Sequence, residues 1–223
     1  MALDAAGPPL SKTEYVLERL RQDIRSGAVN PGQPLRQAEL ARRYGVSPTP
    51  VREALRLLEA QGAISYSPHK GATVTELSPR RIEDLYRLRA TVESLATRLA
   101  VERLEDGVVE EVREIHERIK DGLGTVDGKT LSRLNRDMHF AIYHRGSPLV
   151  ADHVTALWRF LPPEVTLWSD PDVAAELVGQ HEQIFQALVD GDADRAAELM
   201  ANHIVTAANH RFRQVEGAPA LRA

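Results

Sequence analysis

Apolar residues recur every three or four positions along most of the chain, the spacing that predicts amphipathic helices. Val16, Leu20 and Ile24 make the first stripe, over a helix expected from about Ser11 to Ser26. After the turn AVNPGQPL the spacing predicts a short helix over Gln37–Tyr44, then a connection at Gly45-Val46-Ser47. A further helix is expected from about Pro48 to Gln61, with Val51, Leu55 and Leu58 on one side. The period then falls to two. AISYS and ATVTEL alternate apolar and polar residues around PHKG, which predicts a hairpin. This order of elements predicts a winged helix-turn-helix over residues 11–76.

Ser78-Pro79 marks the next boundary, with serine suited to the N-cap and proline to the first helical position. Helical spacing then runs to about Arg213, in six segments near 79–104, 107–122, 128–145, 148–161, 172–190 and 192–213. Glycine pairs and the stretch LPPEVTLWSDPD separate them. The expected fold is mostly α: a winged helix-turn-helix with a small β-hairpin, followed by an all-α six-helix bundle over residues 77–214. Residues 1–10 and 215–223 are expected to be loose tails.

Composition narrows the function. The chain has 223 residues with 43% hydrophobic positions, enough for packed cores. It has no cysteine, which excludes disulfides, thiolate metal sites and cysteine nucleophiles. No apolar run spans a bilayer and no secretory signal opens the chain, so the expected setting is the cytoplasm, without membrane contact. The net charge of −4 divides unevenly: residues 1–75 carry +3 and the remainder −7. A small basic module joined to a larger acidic one suits a DNA reader joined to something else.

Thr49, Arg52 and Arg56 fall at i, i+3 and i+7 on the third helix, a polar face opposite the stripe. In a helix-turn-helix such a face enters the major groove, where arginine donates to guanine or phosphate. The helix N-terminus near Ser47 and Thr49 suits a backbone phosphate, and Lys70-Gly71 at the hairpin tip can reach the adjacent backbone. A solvated face and an ordinary turn would fit the same spacing.

In the helical region, Asn135 and His139 lie four apart along the edge of the stripe Leu131, Leu134, Met138 and Ile142. His181 stands in the stripe Val173, Leu177, Ile184 and Leu188, and His203 in Ala196, Leu199, Met200 and Ala207. One inward imidazole is ordinarily a hydrogen-bonded core residue. Three from separate helices, with an asparagine, each need a partner, and a divalent metal satisfies all of them. His210 is the main rival ligand. His144 and His116 fit the stripes less well, and His153 needs only a packing role.

The string L-x-x-x-E-L-A-x-x-Y-G-V-S-x-T-P-V-R-E-A-L-x-x-L-E-x-x-G, followed by K-G-A-x-V in the hairpin, resembles the GntR family of bacterial transcription regulators over residues 11–75. The resemblance implies operator binding by a homodimer, one winged helix per half-site. It places Ser47, Thr49 and Arg52 on DNA at the recognition helix, with His69, Lys70 and Gly71 at the wing. It sets Arg36 near a basic contact that relatives carry before the second helix. Pro48 stands where most members have arginine, so the half-site read here is expected to differ.

DLYRLRATVE, LNRDMHFAIYHRGSPL and HEQIFQALVDGDADRAAELMANH resemble the FadR-type, all-helical effector domain called FCD. By that resemblance the metal ligands map onto Asn135, His139, His181 and His203, and a small organic acid fills the open coordination positions. The metal is expected to be zinc, with nickel or manganese as alternatives. Arg89 matches an inward arginine that pairs with the effector carboxylate; a surface Arg89–Glu93 ion pair is the alternative. The function expected is a metabolite-responsive regulator and not an enzyme. A constitutive DNA-binding protein with a structural metal is one rival. Another is a metalloenzyme using Glu93 as base, for which no supporting motif appears.

Overall fold

The computed structural model describes residues 11–25, 28–67, 71–75, 78–104, 107–158 and 165–213. It divides into two compact units between residues 77 and 78. In the first, helices α1 (Lys12–Arg25), α2 (Gln37–Tyr44) and α3 (Pro48–Ala60) precede strands β1 (Ile64–Ser67) and β2 (Gly71–Val74). The strands pair antiparallel with Ile64 opposite Val74 and Ser67 opposite Gly71, a register that turns Ile64, Ala72 and Val74 inward. They close a core of Val16, Leu20, Leu40, Val51, Leu55 and Leu58. Gly45 turns the chain between α2 and α3 at φ +68°, a conformation only glycine adopts without strain. Both tails, and the wing residues His69 and Lys70, lie outside the described residues.

The second unit is helical. α4 (Pro79–Glu102), α5 (Val108–Gly122), α6 (Gly128–Gly146), α7 (Pro148–Trp158), α9 (Pro171–Val189) and α10 (Ala193–Arg213) are its long helices. Their starts follow local chemistry. Ser78 Oγ accepts from Arg81 N, Asp127 Oδ1 from Thr130 N at 2.7 Å, and Asp170 Oδ1 from Asp172 N and Val173 N. The stretch read as a plain separator contains one more helix, α8 (Val165–Trp168). Four residues are too few for a period to register, yet Leu167 and Trp168 are buried against the bundle.

α4 packs on α6, α7 and α10, which brings its inner face to the centre of the unit. The α4–α6 crossing is close at Gly146: a Cβ there would meet Ala100 N at 2.5 Å. Arg103 Nη1 donates to the Gly146 carbonyl at 2.6 Å across the same crossing. Tyr86, Ile119, Met138, Ile142, Leu177 and Ile184 are among the fully buried side chains of this core. No helix among the described residues is long and apolar enough to cross a membrane.

Candidate functional site

α3 presents a polar face because its apolar residues are consumed by the core. Val51, Ala54, Leu55 and Leu58 are buried, whereas Ser47, Thr49, Arg52 and Arg56 are exposed on the opposite side. Arg52 and Arg56 approach Glu53 at 3.5 and 3.6 Å with all three side chains in water. Such surface pairs are worth about 0–1 kcal/mol, so both guanidiniums can be drawn to another anion. Ser47 is the N-cap by backbone geometry but makes no side-chain capping bond, which leaves its hydroxyl to solvent or ligand. Arg36 is exposed beside Glu39, and Gly71 is exposed at the start of β2. Sequence reasoning passed over Lys12 and Arg42, which line a surface groove of about 530 Å³ with Ser47 and Pro48.

In the second unit, the four inward residues are all buried: Asn135, His139, His181 and His203 are 5%, 1%, 1% and 3% exposed. α6, α9 and α10 contribute one imidazole each. Their ligating nitrogens lie within 4.8 Å of one another, and His181 Nε2 is 3.2 Å from His203 Nε2. In a tetrahedral zinc site with metal–nitrogen bonds of about 2.0–2.1 Å, neighbouring nitrogens sit about 3.4 Å apart. The cluster is near that spacing already.

Hydrogen bonds behind the rings decide which nitrogen faces the cluster. Tyr143 Oη lies 2.6 Å from Glu93 Oε2 and 3.3 Å from Met200 Sδ. The carboxylate is the stronger acceptor and the closer one, so the hydroxyl donates to Glu93. His139 Nδ1, 2.7 Å from the same oxygen, must then be the donor to it. Its Nε2 therefore carries a lone pair, and that atom is buried with no hydrogen-bond partner. His203 is set in the same way. Gln180 Nε2 donates to Thr206 Oγ1 at 3.1 Å, which turns Gln180 Oε1 to accept from His203 Nδ1 at 2.9 Å. Two of the three imidazoles are thus held as Nδ1–H tautomers that present Nε2 lone pairs.

Burial, and then the neighbouring imidazoles His203, His139 and His116, push the His181 pKa well below the ordinary histidine value. Burial, followed by His139 and Arg89, does the same to His203. Both rings are therefore neutral at physiological pH, the form that ligates a metal. An orphaned buried lone pair among neutral imidazoles fits a divalent transition ion, with the Asn135 carbonyl able to add an oxygen.

Glu93 anchors the whole arrangement from α4. It accepts from Arg89 Nε at 2.6 Å, Tyr143 Oη at 2.6 Å and Trp158 Nε1 at 3.0 Å. Burial alone would raise its pKa, but the Arg89 charge and the His139 contacts outweigh that and bring it to about 2. The Arg89 guanidinium lies 5.1 Å from the Tyr86 ring centroid and 4.7 Å from that of Trp158. The i,i+4 pair expected on a helix surface is present, then, but it is sealed inside the bundle. Arg89, Asn135, His139 and His203 line a cavity of about 10 Å³ roofed by Trp168. That is room for about one water molecule.

The remaining histidines sort themselves by partner. His210 pairs with Glu176 at 2.7 Å, outside the three-histidine cluster. His144 is exposed, and His153 Nδ1 bonds the Leu149 carbonyl one turn back. His116, read as a poor fit to its stripe, is 1% exposed in line with Val108, Val112 and Ile119, and its Nε2 is 3.0 Å from Glu182. Tyr143 and Gln180, which fix two of the imidazoles, were not singled out from the sequence.

Comparison with known proteins covers both units. Residues 84–206 match the family model described as FCD domain, and residues 12–74 match that of bacterial regulatory proteins, gntR family. The HTH-type transcriptional regulator McbR of Escherichia coli (strain K12) is 34% identical over 155 residues, covering 69% of this chain and 70% of McbR. The solved structure of E. coli McbR/YncC gives a TM-score of 0.80 at 28% identity, over 92% of this chain and 99% of that one. A GntR-type structure from Rhodococcus sp. RHA1 gives 0.74 at 19% identity, covering 92% and 99%, a likeness of fold alone.

Proposed function

The chain belongs to the GntR family of bacterial regulatory proteins, with an FCD domain behind its winged helix, and from that premise we propose that it is a metabolite-responsive regulator. As a homodimer it binds an operator of two symmetric half-sites, and its bundle holds a divalent metal that receives a small organic acid. The observation that carries the metal is the set of three buried imidazoles, two of them locked with Nε2 toward the cluster. Asn135, His139, His181 and His203 would be its ligands, with zinc first and nickel or manganese as alternatives. When bound, the ion supplies a positive centre for an anionic effector.

Ser47, Thr49, Arg52 and Arg56 would meet the operator through the exposed face of α3, with Arg36 and the wing residues His69, Lys70 and Gly71 beside it. Proline at position 48 removes an arginine that most relatives place there, which alters the bases read. Two half-sites require two winged helices, hence the dimer. Effector binding would then shift the population between operator-fitting and non-fitting dimers.

A metalloenzyme would need Glu93 as general base. That carboxylate is held at a pKa of about 2 and already accepts from three donors, so it is a poor proton acceptor. A regulator with a purely structural metal has one observation in its favour: the cavity of about 10 Å³ is far smaller than an organic acid. An operator fragment selected from random DNA, titrated with protein with and without candidate organic acids, separates the two. Affinity that changes with the acid supports an effector; affinity indifferent to every acid and to metal removal leaves the structural role.

A further inference from the structure

The buried charge at the cavity balances without any ion. Arg89 and Glu93 are 2% and 0% exposed and pair at 2.6 Å, with Trp158 and Tyr143 donating to the same carboxylate. Asn135 is an amide. His203 and His181 are neutral, and His139 lacks any acceptor for a second N–H. Among the described residues lining the cavity, Arg89 is the one cation, and its counter-ion is built in. An uncompensated anion buried here would pay its desolvation with no net attraction in return. A divalent ion would change that sum by two positive charges, since the other donors are neutral.

We propose that Glu93 determines the ligand specificity of this site: by neutralising Arg89 inside the bundle it bars small carboxylate anions from the metal-free protein and makes their binding conditional on the bound cation. The second half of this statement rests on the proposed metal site; the first rests on the Arg89–Glu93 pair alone. The geometry distinguishes Glu93 from a packing residue. Glu93 places a carboxylate on the guanidinium at the position an incoming carboxylate would take, and Tyr143 links that carboxylate to His139. Whatever happens at Arg89 is therefore transmitted to an imidazole of the cluster.

The test uses the full chain and acetate, compared with chloride at equal ionic strength, with the thermal midpoint followed by tryptophan fluorescence. Chelator-stripped wild-type protein should melt alike in both salts. Glu93→Ala, also stripped, should gain stability in acetate, because acetate carries the heavy atoms that the substitution removes. Arg89→Gln combined with Glu93→Ala should lose that response. Zinc-loaded wild type should bind acetate tighter than stripped wild type by on the order of tenfold or more. The proposal is overturned if stripped wild type binds acetate as well as the zinc-loaded form. It is equally overturned if stripped Glu93→Ala, folded by circular dichroism, ignores acetate. Should Glu93→Ala fold only when acetate is present, the proposal is supported; should it fold in neither salt, the wild-type comparison decides. If wild type takes up no zinc, the metal site falls, and the stripped Glu93→Ala comparison still decides this inference.

Discussion

Tyr143→Phe removes one oxygen from the centre of the bundle and tests whether the imidazoles are held or merely packed. Two hydrogen bonds go with it, His139 Nδ1 to Tyr143 Oη at 2.7 Å and Tyr143 Oη to Glu93 Oε2 at 2.6 Å. Leaving a buried polar group unsatisfied costs about 1–3 kcal/mol, so two orphans would cost about 2–6 kcal/mol. Some of this is recoverable, because His139 Nδ1 already lies 3.8 Å from Glu93 Oε2 and a small rotation lets it donate directly. Glu93 also keeps Arg89 and Trp158. The expected loss in metal-free stability is therefore about 1–3 kcal/mol, one orphan's worth. The rotation that rescues stability misaims Nε2, and loss of such a supporting partner weakens metal binding about 10–100-fold. Urea unfolding of chelator-treated protein gives the first quantity. Both tryptophans, Trp158 and Trp168, sit in the bundle, so their fluorescence reports that unit alone. Zinc competition against a chromophoric chelator gives the second. A variant with unchanged zinc affinity would refute the positioning role even if stability fell.

Arg52→Ala should weaken binding to a selected operator by about 1–3 kcal/mol at fixed salt, read by fluorescence anisotropy, with the fold unchanged because the side chain is exposed. For pH, the folded-state pKa values of His181 and His203 lie well below the unfolded value, so the unfolded chain binds more protons as pH falls from about 6.5. Metal-free stability should be full above that pH and decline below it, by up to about 1.4 kcal/mol per histidine per pH unit. A urea midpoint of the bundle that stays flat from pH 7.5 to 5.5 contradicts it. Gly146→Ala should cost at least about 3 kcal/mol, since its Cβ would strike backbone at 2.5 Å. Gly179→Ala, exposed in α9 with nothing within 4 Å, should instead add about 0.5–1 kcal/mol in the same unfolding assay.

The fold was legible wherever a stripe was long enough to repeat. α3 declared both its faces through Val51, Leu55 and Leu58 against Thr49, Arg52 and Arg56, and Ser78-Pro79 marked the start of α4. α8 was not legible, since four residues hold scarcely one helical turn. Asn135 and His139 were visible as candidates because four residues bring them to one helix face, and His181 and His203 because each interrupts an apolar stripe. Their supports were not. Tyr143 and Glu93 are 50 residues apart, and His203 and Gln180 are 23 apart, so neither pair leaves a periodic trace. The sequence spacing of Arg89 and Glu93 announced an ion pair and was silent on its burial, which depends on Trp158 and Tyr86 closing over it.

The most direct test of the central claim, that these imidazoles form a metal site, is calorimetric titration of the chelator-stripped full chain with zinc near pH 7.5. The expected result is one ion per chain, an enthalpy nearly independent of buffer because neutral histidines release few protons, and loss of binding in His181→Ala and His203→Ala but not in His144→Ala. No uptake, or uptake that survives both substitutions, would contradict it and return the three histidines to the core.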